Sequence, residues 1–314
     1  MPSRKLACPV LLILSVTLAW QQTLVEGRLP GQAIEGQNHL EQNSVLRQLL
    51  GPGVALAPGA TAPLPTPRMA DGLSAADQRR VIEQWEGRQA DVDELLRRSP
   101  VTPFLLHFRE IEAGPASAAG RAIDLGFVTY GRFDDLARSD FLEEMLNSGR
   151  KDAAIQPLTP ESVAHLHLEP VASEAARTGW AHVSLTLMDR VTLRGTSRTV
   201  WSRTAESVVV AAVLEPRCTG SREFPNAWQL LERDDAGQLR PKGPAVAYEA
   251  LGYYLKITRL AEPADALFVE WHLIFREPQE WFDGANLLRS KLPIVLQTKI
   301  RAFRRELMRT LGPG

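Results

Sequence analysis

From Trp180 onward the chain alternates apolar and polar residues with a period of two. Val183, Leu185 and Leu187 interleave with His182, Ser184 and Thr186, the pattern of a half-buried strand. Further strand patterns cover 198–204, 207–215, 227–233, 253–260 and 266–275, and two more, 104–112 and 121–131, precede them. Val208 to Leu214 is apolar without a break, which predicts a central strand covered on both faces. The period then changes. Leu296, Ile300, Phe303, Leu307 and Leu311 recur at three- and four-residue steps and share one face of a C-terminal helix. Pro293 is expected in the first turn of that helix, with Leu287 to Leu292 as a separate lead-in.

Three other helices are expected. One starts at the capping sequence Ser74-Ala75-Ala76-Asp77 and carries Val81, Ile82, Trp85, Val92, Leu95 and Leu96 up to Pro100. A second begins at Asp134 or Asp135 and runs through Leu146; a third, short one is capped by Thr159 with Pro160 at its first position. Residues 234–244 read as a surface loop. The last two strands read as a hairpin around Glu262-Pro263-Ala264-Asp265. In one register Leu255 faces Trp271 and Ile257 faces Val269, while Lys256 faces Glu270 and Tyr254 faces His272. Apolar then meets apolar and opposite charges meet, which a one-residue slip destroys. The fold class is therefore α+β: an antiparallel sheet of about six to eight strands with a long C-terminal helix packed on it, plus an N-terminal helix.

The first part of the chain is read differently. Arg4 and Lys5 precede the uncharged, mostly apolar run Leu6 to Trp20, so residues 1–27 read as a secretory signal cleaved after Ala19 or Gly27. The protein is expected to be exported, periplasmic or extracellular; anchoring by an uncleaved N-terminal segment is the alternative. Residues 28–73 are polar and then rich in proline and glycine, and read as a flexible linker. A single domain over 74–314 follows. Without the signal, Cys218 is the one cysteine left, so no internal disulfide forms. The net charge of −1 gives no reason to expect nucleic acid.

From Phe104 onward the element order resembles the helix-grip arrangement of START-like lipid-transfer and polyketide-cyclase-like proteins. The resemblance implies a curved antiparallel sheet around the terminal helix, with a hydrophobic cavity between them that takes a lipid or other hydrophobic small molecule. Its candidate lining is Leu255, Ile257, Val269, Trp271 and Leu273 from the sheet, with Leu296, Ile300 and Phe303 from the helix. The same pattern also serves a solid core.

Zinc, nucleophile-elbow and phosphate-loop motifs are absent from the sequence, and no metal or cofactor is expected. The leading function is a non-enzymatic binding protein. Glu270 and His272 share a strand face with Tyr254 alongside, which would allow acid–base chemistry in a cavity enzyme; a polar sheet face also reads as simply solvated. Arg289 to Arg309 carries seven basic residues against Glu306. Arg301, Arg304 and Arg305 are thus candidates for an anionic membrane surface in an envelope-associated scaffold.

Overall fold

A computed structural model describes residues 38–85, 90–111, 120–136, 153–168, 177–282 and 287–310. The expected signal segment, the first part of the expected linker, most of the helix expected over 134–146, and Leu311 lie outside them.

In chain order the N-terminal part supplies α1 (His39–Gln42), α2 (Ser44–Leu50), the hairpin strands β1 (Val54–Ala57) and β2 (Ala60–Ala62), α3 (Ala75–Glu83) and α4 (Val92–Leu95). Then come β3 (Leu105–Ile111), β4 (Gly120–Tyr130), α5 (Phe133–Leu136), β5 (Ala153–Pro157), α6 (Pro160–His165), β6 (Arg177–Leu187), β7 (Val191–Arg203) and β8 (Ser207–Leu214). The chain finishes with β9 (Ala227–Arg233), β10 (Leu239–Ala247), β11 (Leu251–Arg259), β12 (Ala266–Arg276) and α7 (Leu287–Thr310).

Strands β3 to β12 form one ten-stranded sheet, antiparallel at every pairing. Its continuous path is β5-β6-β7-β8-β11-β12-β4-β3. The 13-residue β7 holds β6 along one side; on its other side the first half pairs with β9 and the second half with β8. The β9–β10 hairpin therefore branches from the sheet. The β11–β12 register is the one the sequence requires: Leu255 lies opposite Trp271, Lys256 opposite Glu270, Ile257 opposite Val269 and Tyr254 opposite His272. Its outcome is an α+β fold in which a large antiparallel sheet carries a long C-terminal helix, the helix-grip arrangement expected from the element order.

Both faces of this sheet are covered. On one, α7 lays Leu292, Leu296, Ile300 and Leu307 against a cluster that includes Leu125, Phe127, Val210, Leu255, Val269, Trp271 and Leu273. On the other, α2 and the β1–β2 hairpin pack Leu46, Leu49, Val54, Leu56 and Leu64 against Val209, Ala211, Tyr254 and Ile274. Beside them Met69, Ile82, Trp85 and Leu95 cover Val128 and Phe268. Residues 38–73 are thus no linker but half of the second cover. Asn38 and Asn43 cap two short helices in succession, accepting from the Glu41 and Leu46 amides. Of the prolines that suggested a linker, Pro52 and Pro58 sit in turns, and Pro63, Pro65 and Pro67 lie outside helix and strand around the buried anchors Leu64 and Met69.

Three other expectations are corrected. Residues 239–247 form β10, an exposed branch strand, where a loop was expected. The helix expected from Ser74 to Leu96 is two: α3 is capped by Ser74 and α4 by Asp91. Pro293 lies inside α7, which begins at Leu287 with no break at the proline; only one helical hydrogen bond is lost there. Strand β5 was not anticipated.

Arg304 is the largest departure on α7. It falls in the buried stripe between Ile300 and Leu307 and is 1% exposed. Its guanidinium donates to the carbonyls of Val128 at 2.8 Å, Pro103 at 2.9 Å and Thr102, and sits 5.5 Å from the Phe127 ring centroid. Burial, together with the nearby Arg301 charge, lowers its pKa to about 10, so it stays charged at neutral pH. It is a clamp between helix and sheet, removed from any membrane-facing surface.

Two substitutions test this packing by chemical denaturation. Leu49→Ala, in the presumed linker, is expected to cost about 2–5 kcal/mol, whereas a residue in a flexible linker would cost nothing. Arg304→Ala is expected to cost about 3 kcal/mol because three carbonyls lose a charged donor. The exposed neighbour Arg305→Ala is expected to stay within about 0.5 kcal/mol.

Candidate functional site

Two regions of the sheet collect the residues that the sequence singles out, one on each face.

On the face under the N-terminal cover, antiparallel pairing sets Asp124, His272 and Tyr254 side by side on β4, β12 and β11, with Glu270 and Lys256 paired one step further along. His272 Nδ1 lies 2.6 Å from Asp124 Oδ1, and Asp124 Oδ2 accepts from Arg109 Nε at 3.0 Å. The other imidazole nitrogen, Nε2, is 3.5 Å from Glu270 Oε2. Trp85 and Tyr254 flank the imidazole, with ring centroids 5.7 and 4.9 Å away.

The sequence left this row facing solvent. Instead Asp124, Glu270 and His272 are fully buried, and residues 65–71 lie across them. Glu270 accepts the backbone amides of Arg68 at 2.9 Å and Met69 at 3.3 Å. Lys256 Nζ donates to the Met69 carbonyl at 2.7 Å and pairs with Asp71 at 2.9 Å. Tyr254 donates its hydroxyl to the Pro65 carbonyl at 2.9 Å. Asp71 also accepts from Ser207 Oγ at 2.6 Å and Thr204 Oγ1 at 2.5 Å. His39 lies between Ser202 and Ser207, at 2.8 and 2.7 Å. Sequence reasoning missed Asp71, Asp124 and His39 because each comes from an element distant in the chain. The one available signal was Val208 to Leu214, whose unbroken apolar run already demanded cover on this face.

The charges here are mutually dependent. Burial opposes ionisation of Asp124, but the His272 and Arg109 contacts outweigh it and lower its pKa. Burial likewise opposes charging His272, yet Asp124 and Glu270 prevail and raise its pKa. Asp71 is lowered in the same way, through Lys256 and two hydroxyls against burial. His39 is the opposite case: desolvation, then the Lys256 charge, lowers it to about 4 and keeps it neutral. His272, Lys256 and Arg109 thus lie directly against the carboxylates of Asp124, Glu270 and Asp71. Glu270 and His272 are brought together, but the groups they meet are a backbone segment and an ion pair. With residues 65–71 in place no substrate reaches them.

On the helix side, the eight sequence-nominated lining residues come together. Leu255, Ile257, Val269, Trp271, Leu273, Leu296 and Ile300 lie in one buried cluster, and Phe303 packs half-buried against it. The described interior is filled. A cleft of about 20 Å³ is lined by Val183, Leu193, Ser197, Leu214, Tyr248 and Leu251 among others; one of about 40 Å³ lies among Phe108, Arg121, Ile123, Phe275 and Arg289. Each is of water size. Several side chains in this apolar interior carry polar atoms with no hydrogen-bond partner, Thr199 Oγ1 and Trp271 Nε1 among them. Thr199 belongs to this face because it lies opposite Ala212, which in turn lies opposite Tyr253.

Of the basic trio on α7, Arg305 is exposed, Arg301 half-buried and Arg304 fully buried, so the three do not form one surface. Cys218 is free and buried in the short 3₁₀ turn Pro216–Gly220, and burial raises its pKa. Among the described residues no group of three or more His, Cys, Asp or Glu side chains is placed to hold a metal ion, and no helix is long and apolar enough to cross a membrane.

No family model and no curated protein matches the chain. Solved structures do. The human StarD13 (DLC2) lipid transfer and protein localization domain matches over 64% of this chain and 84% of its own, at a TM-score of 0.36 and 7% identity. Human STARD10 matches over 79% and 82%, at 0.31 and 8%. CalU16 from Micromonospora echinospora matches over 68% of this chain and all of its own, at 0.25 and 9%. At such identities and scores the functional reading rests on this chain's own residues.

The two buried histidines make stability depend on pH in opposite directions. His39 titrates near 6.5 unfolded and near 4 folded. Between those values the unfolded chain holds a proton that the folded one does not, so stability falls as pH falls through 6.5 toward 4, by on the order of 3 kcal/mol in full. His182, also lowered to about 4 by burial and then Arg194, adds in the same direction. His272 is raised, so its contribution is complete below 6.5 and lost as pH rises through its folded value. In denaturation curves taken across pH, His39→Asn is expected to flatten the acid limb and His272→Asn the alkaline one.

Proposed function

We propose that this is an exported, non-enzymatic binding protein that holds a hydrophobic small molecule between the sheet and α7. The observation that carries this reading is the pair of partnerless polar atoms, Thr199 Oγ1 and Trp271 Nε1, inside the apolar layer. Leaving a buried donor or acceptor unsatisfied costs about 1–3 kcal/mol each, and neither atom does anything for the packing. Both find a use when an occupant brings polar groups of its own. The surrounding Leu125, Leu255, Val269, Ile300 and Phe303 supply the apolar walls such an occupant needs.

Because the clefts are of water size, uptake requires α7 to shift off the sheet. Polar side chains at the helix–sheet contact are few; Arg304 is the main one, and it pins the C-terminal half of α7. In the first half Leu292, Leu296 and Ile300 meet the sheet through apolar contacts that an apolar ligand can replace. Export rests on the apolar run of residues 6–20 behind Arg4 and Lys5.

Gly131 and Leu307 give a direct test. A Cβ at Gly131 would stand 3.3 Å from Leu307 Cβ, close to the spacing of a disulfide. In Gly131→Cys/Leu307→Cys the oxidised protein is expected to keep saturable uptake of the fluorescent hydrocarbon diphenylhexatriene, because the disulfide ties the half of α7 that Arg304 already pins; loss of uptake on oxidation would show that the whole helix must move. If the wild-type protein gives no saturable signal with this probe, the reading is wrong.

A further inference from the structure

Further partnerless polar atoms of the helix-side interior lie toward the β7–β9 branch, beginning with Ser197, two residues from Thr199 on the same face of β7. Trp281, in the 3₁₀ turn that follows β12, is 1% exposed, and Trp228 on β9 is 6% exposed. Their rings lie 6.2 Å apart at 72°. Neither indole N–H has a hydrogen-bond partner, and neither does the hydroxyl of Ser197, itself 1% exposed. The three belong to one neighbourhood. Ser197 and Tyr248 line the same small cleft, and so does Leu193, the cross-strand partner of Trp228. Tyr248 packs on Trp281 with ring centroids 5.6 Å apart. Its own hydroxyl is already committed, donating to the Arg276 carbonyl at 3.0 Å. The remaining walls are the apolar Val183, Leu185, Leu214 and Leu251, with Gly195 and the charged Arg194.

We infer that this end of the interior receives the oxygen-bearing end of the ligand. The inference rests on the binding reading above and specifies its chemistry. An indole nitrogen donates and never accepts, so the group that satisfies Trp228 and Trp281 is an acceptor. A carbonyl, ester or carboxylate oxygen on an otherwise hydrophobic molecule meets the requirement, while a plain hydrocarbon does not. Ser197 adds a rotatable hydroxyl that can donate to the same oxygen. The polarity of the site then orients the ligand: one oxygen toward the β7–β9 branch and Trp281, the body along the aliphatic residues of β11, β12 and α7, with Thr199 and Trp271 left to meet any further polar group it carries. Such an arrangement follows the usual design of small-molecule sites, in which a mostly apolar wall carries a few converging polar groups.

Displacement of bound diphenylhexatriene by three molecules of equal chain length separates the outcomes. Dodecane carries no acceptor, methyl dodecanoate a neutral one and dodecanoate a charged one. The wild-type protein is expected to release the dye at about tenfold lower concentration of the ester or the carboxylate than of dodecane, the factor for one added hydrogen bond to a buried donor. A preference for dodecanoate over its methyl ester identifies a carboxylate site, and equal potency identifies a carbonyl site. Trp228→Phe and Trp281→Phe keep an aromatic ring and remove the N–H. Each is expected to shrink the ratio of ester or carboxylate potency to dodecane potency measured in that same variant, and Ser197→Ala serves as a third, smaller change. Equal displacement by all three molecules in the wild-type protein overturns the inference while the binding reading stands, and so does an advantage that survives in folded variants. If neither the dye nor any of the three molecules binds, the binding reading itself falls.

Discussion

A sheet covered on both faces must find a partner for every polar group it carries, and here the partner is the chain's own N-terminal segment. Lys256, Glu270, His272 and Asp124 would be a costly set of buried charges on their own. Residues 65–71 make them tolerable, because Glu270 takes two backbone amides while Lys256 takes a carbonyl and the Asp71 carboxylate. The dependence runs both ways. A proline-rich segment has little helix or ladder of its own, and its backbone polar groups also need partners. The charged row and the segment above it therefore order each other, and removing either leaves the other unsatisfied.

The opposite face follows a different logic. Leu292, Leu296, Ile300 and Leu307 meet it through apolar, non-directional packing, and Arg304 ties α7 to three carbonyls of the β4 and pre-β3 backbone. One face is thus closed by many specific polar links and the other largely by fit. A layer held by fit is the one that can exchange part of its packing for a ligand; indole and hydroxyl groups without partners occur on both faces, Trp85 Nε1 and Thr258 Oγ1 on the other. The asymmetry between the faces is the physical basis for placing binding on the helix side and leaving the Glu270–His272 row a structural role.

Much of the sheet was legible because its determinants are local or pairwise. Alternation located β6, the unbroken run located β8, and matching of charge and size selected the β11–β12 register out of its neighbours. The eight apolar residues nominated for the helix side do form one layer. What was not legible depended on distant chain. Nothing near Glu270 in sequence says that Arg68 and Met69 will cover it, and nothing near Arg304 says that three carbonyls await it. Composition misled over residues 38–73, because counting prolines and glycines overlooks anchors as widely spaced as Leu46, Leu49, Val54, Leu56, Leu64 and Met69.

The sequence by itself determined most of the central strands, the pairing register of the final hairpin and the apolar stripe of the C-terminal helix, since periodicity and cross-strand complementarity are properties of neighbours. Only the tertiary structure decided which polar residues were buried. Burial depends on what the rest of the chain lays over a face, so identical alternation serves a wet surface and a sealed one. That decision turned His272 and Glu270 from surface groups into a charge network, moved Arg304 from solvent into the core, and left Trp228, Trp281 and Ser197 holding polar atoms that the protein alone does not satisfy.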